Sequence, residues 1–346
     1  MINPSIPSRR SKACKAAFAA ASAATLLTAA GCSSAGSGGA SHDAGGLATI
    51  RLVYDWSSVD FEAVPFAVGV KEGFYKKQGI NLDLIFPPDN STTVKMLAVN
   101  QGDIGFDTTA DVAFARAANI PIVSIANYSQ KNNWGLIGKP GTTIDPSKLA
   151  GKSIGVFTDS WTKSMMPYVL QASHVSASGV QQVIFQNSDL PAMLSGKIDI
   201  ATNTTNYAIA QVQSATGKQP SVALGTAFGA PNVPIWVYTA TSSWLGTHAA
   251  QARGFLTATR EATQWSIDHP AAAVKDFIAA YPNNGSSESY NMDGWLATIP
   301  FLSSSDGLLT QSGSEWSEVV SALKSAHQLT STFPASTYFT NKYLGN

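Results

Sequence analysis

The stretch TIRLVYDWSSVDFEAVPFAVGVKEGFYKKQGINLDLIF, residues 49–86, contains two strand patterns with a helix pattern between them. Its first six residues, 49–54, form an alternating, β-branched run, and residues 80–86 alternate apolar and polar side chains in the same way. Such alternation predicts a strand at each end. The intervening segment 63–72 predicts a helix that stops at Gly73. Strands that alternate with helices predict an α/β fold.

The alternation of strands and helices continues outside this stretch. A further strand is predicted at 102–106, and a second series with the same layout runs from about residue 139 to 239. Its segment 197–201 repeats the pattern of 102–106. We therefore predict two similar α/β lobes with parallel sheets, and the chain is expected to cross between them near 136–139 and 237–241.

The length of the folded body also predicts two lobes, because about 300 residues exceed what one hydrophobic core usually fills. Ligands of open α/β sheets bind beyond the carboxyl ends of the strands, so the cleft between the lobes is the predicted binding site. The predicted parts, in chain order, are a lipoprotein signal peptide (1–31), a lipidated cysteine with a flexible Gly/Ser tether (32–47), the first part of lobe 1 (48–137), lobe 2 (138–238) and the helical second part of lobe 1 (239–346).

The N-terminal residues have the pattern of a secretory leader. Four basic residues precede residue 16 without an acidic neighbour, and an apolar run of about 15 residues, AAFAAASAATLLTAA, follows. The run ends in Ala29-Ala30-Gly31 before Cys32, which resembles the lipobox of bacterial lipoproteins. We expect Cys32 to be lipidated and the protein to be extracytoplasmic and anchored to the cell membrane. The alternative is cleavage at the small residues with release of the protein.

The composition speaks against several classes of function. Cys14 and Cys32 are the two cysteines, so the body has no thiol for a disulfide, a nucleophile or a zinc site. Without the four basic leader residues, 18 Lys and Arg remain of 22 against 22 Asp and Glu, a net charge of −4, and no basic stretch favours nucleic acid. The five histidines are scattered, and neither a nucleophile elbow nor a phosphate loop occurs. We therefore expect a binding protein that is not an enzyme and has no cofactor and no metal.

Several short motifs occur in the order found in one protein family. They are YDW (54–56), KEGFYKKQGI (71–80), FPPD (86–89), GDIGF (102–106), LAGKSIGV (149–156) and FTNKYL (339–344). In this order they resemble the NMT1/THI5-like proteins, relatives of the sulfonate, taurine and nitrate binding proteins of ABC importers. The resemblance implies the type II periplasmic-binding-protein fold, with two α/β lobes, a hinge and a cleft. It also implies a small-molecule ligand and an ABC permease and ATPase as partners, and we expect the binding protein to be a monomer.

Two positions depart from the pattern of the close pyrimidine-binding relatives. Those proteins carry a His seven residues after the Asp of the Asp-Trp pair and a Tyr four residues beyond it, where this chain has Glu62 and Phe66. The enzyme branch of the family, which makes the thiamine pyrimidine, uses that His and a cysteine-rich motif. Both are missing here, so the resemblance favours binding over synthesis.

Candidate ligand contacts lie where the predicted strands end. Trp56 offers an indole face that can stack on a flat heterocycle, and Glu62 offers a carboxylate that can accept two hydrogen bonds from an amidine-like edge. The alternatives are a core tryptophan and a helix-capping glutamate. The other candidates are polar or aromatic residues on the loops after strands, whose alternatives are helix caps and ordinary surface positions: Asp107, Thr108, Thr109, Gln130, Thr158, Asp159, Ser160, Trp161, Asn203 and Tyr207.

These candidates include more acidic than basic groups, which favours a neutral or cationic flat heterocycle such as a thiamine-pyrimidine precursor. A sulfonate, taurine or nitrate-like anion held by backbone N–H groups is the alternative. A ligand sensor without a transport role is a further alternative, because it can use the same fold.

Overall fold

The computed structural model describes residues 46–89 and 92–345. The predicted signal peptide, the predicted lipid site at Cys32 and most of the predicted tether lie outside these residues. Within the described ranges, every helix is too short or too polar to cross a membrane.

The described residues contain twelve strands, most of them in the first two thirds of the chain. They are β1 (Ala48–Val53), β2 (Ile80–Ile85), β3 (Ile104–Thr108), β4 (Ile122–Asn127), β5 (Trp134–Gly138), β6 (Ser153–Phe157), β7 (Gln181–Phe185), β8 (Ala201–Thr204), β9 (Ser221–Leu224), β10 (Trp236–Thr241), β11 (Ser303–Ser304) and β12 (Gly307–Leu308).

The same residues contain twelve α-helices, and the last third of the chain is mostly helical. They are α1 (Val64–Lys71), α2 (Phe74–Lys77), α3 (Thr93–Ala98), α4 (Thr109–Ala117), α5 (Ser160–Ala172), α6 (Leu190–Ser195), α7 (Thr205–Thr216), α8 (Ser242–Thr247), α9 (Ala249–Asp268), α10 (Pro270–Ala280), α11 (Glu288–Thr298) and α12 (Gly313–Ser325). A short 3₁₀ helix at Phe61–Ala63 precedes α1.

Five strands form the first sheet, in the order β2-β1-β3-β10-β4. Strand β1 is parallel to β2 and β3, whereas β10 is antiparallel to β3 and β4. The prediction of parallel sheets is therefore wrong for β10. Strand β10 returns from the second series of strands and enters the first sheet where β3 ends, with Trp236 opposite Thr108, so it must run in the opposite direction.

Strands β5 to β9 form the second strand group. Strand β5 is antiparallel to β8 and β9, β6 is parallel to β7, and a bridge between Ile154 and Ile200 joins the two parts. The chain passes between the first sheet and this group over residues 128–133 and 225–235, and the predicted crossings lie instead within β5 and β10. The lobe boundaries at 137/138 and 238/239 stay a prediction.

A column of stacked aromatic rings leads from the core of the first sheet to the ends of its strands. The ring of Phe106 on β3 lies 5.2 Å from that of Tyr54, at 17° between the planes, and 5.2 Å from that of Trp236, at 14°. Phe66 on α1 is fully buried and packs edge to face against Phe106 at 6.3 Å. These ring contacts hold β1, β3 and β10 together and place Trp236 at the ends of the strands.

Candidate functional site

A cavity of about 450 Å³ lies where strands of the first sheet and of the second strand group end. Residues that follow β1 and β3 line it from one side, and residues that follow β6, β7 and β8 line it from the other. The first turns of α4 and α5 also contribute. This is the position at which α/β proteins usually bind their ligands.

Most of the predicted ligand contacts line this cavity, although their role as contacts stays a prediction. The sequence separated them by up to 151 residues, and the fold brings them to one cavity. The nine that line the cavity are Trp56, Glu62, Thr108, Thr158, Asp159, Ser160, Trp161, Asn203 and Tyr207.

Three predicted contacts do not line the cavity, because their side chains form hydrogen bonds inside the protein. Asp107 points into the first sheet and accepts a hydrogen bond from Thr239. The hydroxyl of Thr109 donates to the carbonyl of Pro234 at 2.9 Å. Gln130 is buried and donates through Nε2 to the carbonyl of Thr310 at 3.2 Å.

Helix caps place two of the polar groups at the cavity. Thr108 and Asp111 form a capping box at the start of α4, in which each side chain accepts a hydrogen bond from the other backbone N–H at 3.1 Å. Asp159 caps α5 by accepting from the N–H of Thr162 at 2.7 Å. A hydrogen bond of 3.1 Å between the hydroxyls of Thr108 and Ser160 joins the two helix starts. Thr108 and Asp159 therefore each cap a helix and line the cavity at the same time.

Aromatic rings form much of the cavity wall. Trp56 and Trp236 meet edge to face, with ring centroids 5.9 Å apart. The indole N–H groups of Trp161 and Trp236 are buried and have no hydrogen-bond partner in the described part of the chain. Flat apolar faces of this kind suit a planar ligand. The lining rings are Trp56, Trp134, Phe157, Trp161, Phe185, Tyr207, Trp236 and Tyr290.

The ionisable groups of the cavity lining, apart from two tyrosines, are all carboxyls. No Lys, Arg or His side chain is among the described residues that line it. Those of the carboxyls that are ionised attract cations and repel anions. The six carboxyl residues are Asp55, Asp60, Glu62, Asp89, Asp111 and Asp159.

The Asp60–Glu62 pair lies at the 3₁₀ helix before α1. Asp60 accepts hydrogen bonds from Tyr54 Oη at 2.7 Å and from the N–H of Glu62 at 2.9 Å. Burial raises the pKa of Asp60 to about 6. Burial, with repulsion from Asp60, raises the pKa of Glu62 to about 8. Glu62 therefore holds a proton at neutral pH and can donate a hydrogen bond as well as accept one.

A second acidic cluster lies beneath the first turn of α4. Carboxylate oxygens of Asp55, Asp107 and Asp111 lie within 4.8 Å of one another. Burial raises the pKa of each of these carboxyls, and repulsion from neighbouring carboxyls adds to it. These are the residues that could hold a cation, but a buried acid cluster does not by itself define a metal site, and we assign none.

Several lining residues were not among the predicted contacts. Asp55 belongs to the YDW motif, and Asp111 lies five residues after the GDIGF motif. Both follow a predicted strand, so the rule that selected the other candidates could have found them. Tyr290 comes from the helical C-terminal region, where no strand end marked it. Its position follows from the packing of α11 against α7, which brings its ring 6.4 Å from that of Tyr207.

Comparison with known protein families gives a match over most of the folded body. A family model described as NMT1/THI5 like matches residues 60–273. The "Putative thiamine biosynthesis protein" of Haemophilus influenzae is 24% identical over 256 residues, which cover 73% of this chain and 80% of that protein. A 4-amino-5-hydroxymethyl-2-methylpyrimidine phosphate synthase of Aspergillus parasiticus is 22% identical over 247 residues, which cover 68% of this chain and 72% of the synthase.

Solved structures confirm the predicted fold class, that of the periplasmic binding proteins. The ligand-binding component of an ABC-type import system from Staphylococcus aureus superposes with a TM-score of 0.67, at 11% identity, over 86% of this chain and 97% of that one. The periplasmic aliphatic sulphonate binding protein SsuA from Escherichia coli gives a TM-score of 0.66, at 12% identity, over 84% and 91% of the two chains. At these identities the likeness concerns the fold.

The comparisons contradict the expectation that the chain is not an enzyme. Its relatives in several fungi are named 4-amino-5-hydroxymethyl-2-methylpyrimidine phosphate synthase, at identities such as 20% and 22%. The fold is also found in the desulfurization enzyme DSZB, with a TM-score of 0.59. The absence of the His and of a cysteine motif was therefore not a sufficient reason to exclude catalysis.

Proposed function

The chain belongs to the NMT1/THI5-like family, and from this premise we propose that it captures a flat, nitrogen-containing heterocycle in the cavity and delivers it to an ABC-type importer. The ligand class favoured is that of the thiamine pyrimidine. The observation that carries this proposal is the cavity lining, which combines six carboxyl groups and eight aromatic rings with no basic side chain among the described residues.

The acidic lining favours a heterocycle over an anion, the two ligand classes that the sequence analysis left open. A sulfonate or nitrate would bring a full negative charge among the carboxyls, and the described lining residues include no Lys or Arg to pair with it. Charge-assisted hydrogen bonds from basic groups are the strongest means of holding such anions. A heterocycle with amino groups instead donates hydrogen bonds that carboxyl and amide oxygens accept.

The aromatic lining supplies the remaining part of the recognition. A planar ring stacked on an indole gains about 0.5–1.5 kcal/mol beyond the burial of its area. Trp56 is half-buried and lines the cavity next to Trp236, so its exposed face is placed to receive such a ring. Glu62 and Asn203 lie on the same lining and can take the polar edge of the ligand.

The names of the relatives point to the same chemistry. The Haemophilus influenzae relative is named for thiamine biosynthesis, and the Aspergillus parasiticus relative is named for a methylated aminopyrimidine phosphate. An aminopyrimidine presents an amino donor beside a ring nitrogen, which matches a carboxyl group that can donate and accept.

A thermal-shift screen of the purified protein tests the proposal. One panel contains aminopyrimidines and thiamine, and the other contains taurine, alkanesulfonates and nitrate. A ligand that binds only the native state adds about 2.7 kcal/mol of stability at a hundred times its Kd. We expect a shift with at least one member of the first panel. A shift with the sulfonates or nitrate alone would replace the proposal with the anion-binding alternative.

A second candidate function is a synthase-type reaction on a pyrimidine, favoured by the names of the fungal relatives. It uses the same cavity, so binding assays alone do not separate the two. Mass spectrometry of the small molecules released from the purified protein, and of its incubations with candidate precursors, would detect a pyrimidine phosphate formed by turnover. A bound pyrimidine that is recovered unchanged supports capture.

We further propose that the protein is exported and anchored through a lipid on Cys32, with an ABC permease and its ATPase as partners. The leader pattern supports the export, and the fold shared with the ligand-binding component of an import system supports the partners. Cys32→Ser is expected to move the protein from the membrane fraction to the soluble fraction. A variant that still sediments with the membrane would remove the lipid anchor from the proposal.

A further inference from the structure

Asn206 lies at the point where three parts of the structure meet. It is 1% exposed in the first turn of α7. Its Nδ2 donates to Glu62 Oε1 at 2.8 Å and to Thr298 Oγ1 at 3.0 Å. Its Oδ1 accepts from Asn133 Nδ2 at 3.0 Å. The segment that leads into β5, the 3₁₀ helix before α1 and helix α11 therefore share this amide.

The neighbours of Asn206 fix which way its amide faces. The Thr298 hydroxyl donates its own proton to the carbonyl of Gly294 at 2.8 Å, so it can only accept from Asn206. An amide turned by 180° would place Oδ1 against the lone pairs of Thr298 and Nδ2 against the Asn133 amine. Both hydrogens of Nδ2 are thus assigned, and one of them faces Glu62.

This assignment decides where the Glu62 carboxyl carries its proton. Oε1 already accepts from Asn206, so the proton of the neutral acid is favoured on Oε2, for which the described residues provide no hydrogen bond. Glu62 lines the cavity. Burial and the repulsion from Asp60 raise its pKa to about 8, which keeps that proton in place at neutral pH.

The other ionisable groups around Glu62 do not supply a positive charge. Asp60 caps the same short helix, and the Tyr128 hydroxyl donates to the carbonyl of Glu62 at 3.1 Å. The tyrosines of the neighbouring elements have pKa values raised mainly by burial, so they stay neutral up to high pH. They are Tyr54 after β1, Tyr128 after β4, Tyr207 on α7, Tyr238 on β10 and Tyr290 on α11.

We propose that Asn206 is a positioning residue that directs the proton of Glu62 towards the cavity, and that the site recognises a neutral heterocycle by sharing this proton with its basic ring nitrogen. The inference rests on the proposed capture of a heterocycle. The proton passes between Glu62 Oε2 and the ring nitrogen, so the complex is either a neutral acid–base pair or a carboxylate–cation pair. Both contain the same atoms and the same total charge, and the step needs no further reactant.

The proposal gives the pH dependence of binding a definite sign. Between neutral pH and about pH 8 the protein brings the proton itself, and the affinity for a neutral pyrimidine is constant. Above the pKa of Glu62 the complex must take up a proton from the solvent, so the affinity falls about tenfold per pH unit. A permanent cation whose basic ring nitrogen is blocked by methylation shows the opposite trend, because it is held by the ionised carboxylate.

Isothermal titration of the full-length protein between about pH 7 and 9.5 tests this dependence. The probes are 4-aminopyrimidine and its N-methylated cation. Wild type is expected to bind the neutral probe with constant affinity to about pH 8 and with a falling affinity above it. Glu62→Gln is expected to remove the fall, because its amide does not titrate. The cation is expected to bind at least about tenfold more weakly at pH 7.

Asn206→Ala tests the positioning role. It is expected to bind the neutral probe about tenfold more weakly at pH 7. The fall in affinity should also move to higher pH, because the N–H that stabilises the ionised carboxylate is gone. Asn203→Ala is the matched control. Asn203 also lines the cavity, but its Oδ1 accepts from the N–H of Thr204 at 2.9 Å, and it makes no hydrogen bond to Glu62. The control is expected to keep the pH profile of wild type.

Three results would overturn the inference. They are an affinity of wild type that does not change with pH, a fall that persists in Glu62→Gln, and a pH profile of Asn206→Ala equal to that of Asn203→Ala. If Asn206→Ala does not fold, as judged by its melting curve, the first two results still decide. Failure of wild type to bind any heterocycle in the thermal-shift screen overturns the proposed function itself, and that outcome precedes the pH experiment.

Discussion

Glu62 and Asp107 are both buried carboxyls, and burial raises the pKa of each to about 8. Their surroundings differ. Glu62 lines the cavity and has one oxygen without a donor among the described residues. Asp107 lies inside the first sheet, accepts from Thr239 and fills the space beside Gly105. We refer to these two surroundings as the cavity wall and the sheet interior.

The second strand group repeats the arrangement of the sheet interior. Asp189 is fully buried, accepts from the N–H of Thr202 at 2.8 Å and lies against Gly155. Burial raises its pKa to about 7. In both places a glycine provides the room that a carboxyl fills, and the carboxyl ties one strand to another segment.

The comparison shows that a raised pKa reports burial and not function. Perturbed carboxyls are often used to find functional sites, but structural groups are perturbed as well. What distinguishes Glu62 is that it lines the cavity and that the described residues give one of its two oxygens no hydrogen bond. Substitutions in the sheet interior should therefore change the free energy of unfolding, and substitutions in the cavity wall should change the affinity for ligand.

The largest effect is expected for Gly105→Ala, in the sheet interior. A Cβ at this position would lie 2.6 Å from Thr239 Oγ1 and 2.8 Å from Leu97 Cδ1, and closer still to Asp107 Oδ2. We expect the free energy of unfolding to fall by about 3 kcal/mol, as measured by chemical denaturation. Gly246→Ala is the control, since a Cβ there would meet nothing within 4 Å. Equal stability of the two variants would contradict the packing argument.

Asp107→Asn is expected to raise the free energy of unfolding, by less than Gly105→Ala lowers it. The folded state keeps a proton that the unfolded chain loses above about pH 4. The stability that this carboxyl provides is therefore complete below that pH and is lost as the pH rises to about 8. The amide of the variant does not titrate, so we expect a gain of about 2 kcal/mol at pH 7 and a flatter dependence of melting temperature on pH. Asp306→Asn, at an exposed position, should change neither.

In the cavity wall, Trp56→Ala is expected to weaken ligand binding at least tenfold, about 1.4 kcal/mol, while the melting temperature of the free protein stays close to that of wild type. Loss of the stacking face is the reason. Trp244→Ala is the control, because Trp244 stacks on His248 at 5.0 Å and does not line the cavity. Unchanged affinity in a calorimetric titration would assign Trp56 to packing and would remove it from the site.

The smallest effect is expected for Ser160→Ala. Its hydroxyl joins the start of α5 to Thr108 at 3.1 Å, and a hydrogen bond of this kind contributes about 0.5–1.5 kcal/mol. We expect the ligand affinity to fall about threefold. Ser164→Ala removes a hydroxyl from the same helix whose bond, 2.7 Å to the carbonyl of Ser160, stays within that helix. An equal loss of affinity in both variants would show that the effect comes from α5 as a whole.

The prediction of elements from sequence succeeded where apolar patterns were long and failed where strands were short and rich in glycine. The region 239–346 was predicted to be helical, and its helix α9, Ala249–Asp268, has an apolar face that repeats over five turns. Strand β5, with the sequence WGLIG, overlaps the segment 136–139 that was predicted to be a crossing between the lobes. Its strand conformation depends on pairing with β8 and β9 on both sides. No local pattern in five residues reports such pairing.

The residues of the candidate site also divide into those that the sequence placed correctly and those that it did not. Trp56, Thr108 and Ser160 were found because each follows a recognisable strand, and the carboxyl ends of strands meet at one edge of an α/β fold. Thr109 was assigned to the site by the same rule, although its hydroxyl turns back to Pro234. Adjacent residues at a helix start face different directions, and the sequence does not state which of them faces the ligand.

The sequence by itself determined the family, the α/β class and the acidic, aromatic character of the strand ends, because these depend on local periodicity and on the order of motifs. The tertiary structure alone decided that β10 runs antiparallel and that Asn206 holds Glu62 across 144 residues of chain. It also decided that Asp107 accepts a hydrogen bond inside the first sheet and does not line the cavity. The physical reason is that burial and hydrogen-bond partners are set by contacts between distant segments, and a carboxyl acquires its pKa and its role only when those contacts form.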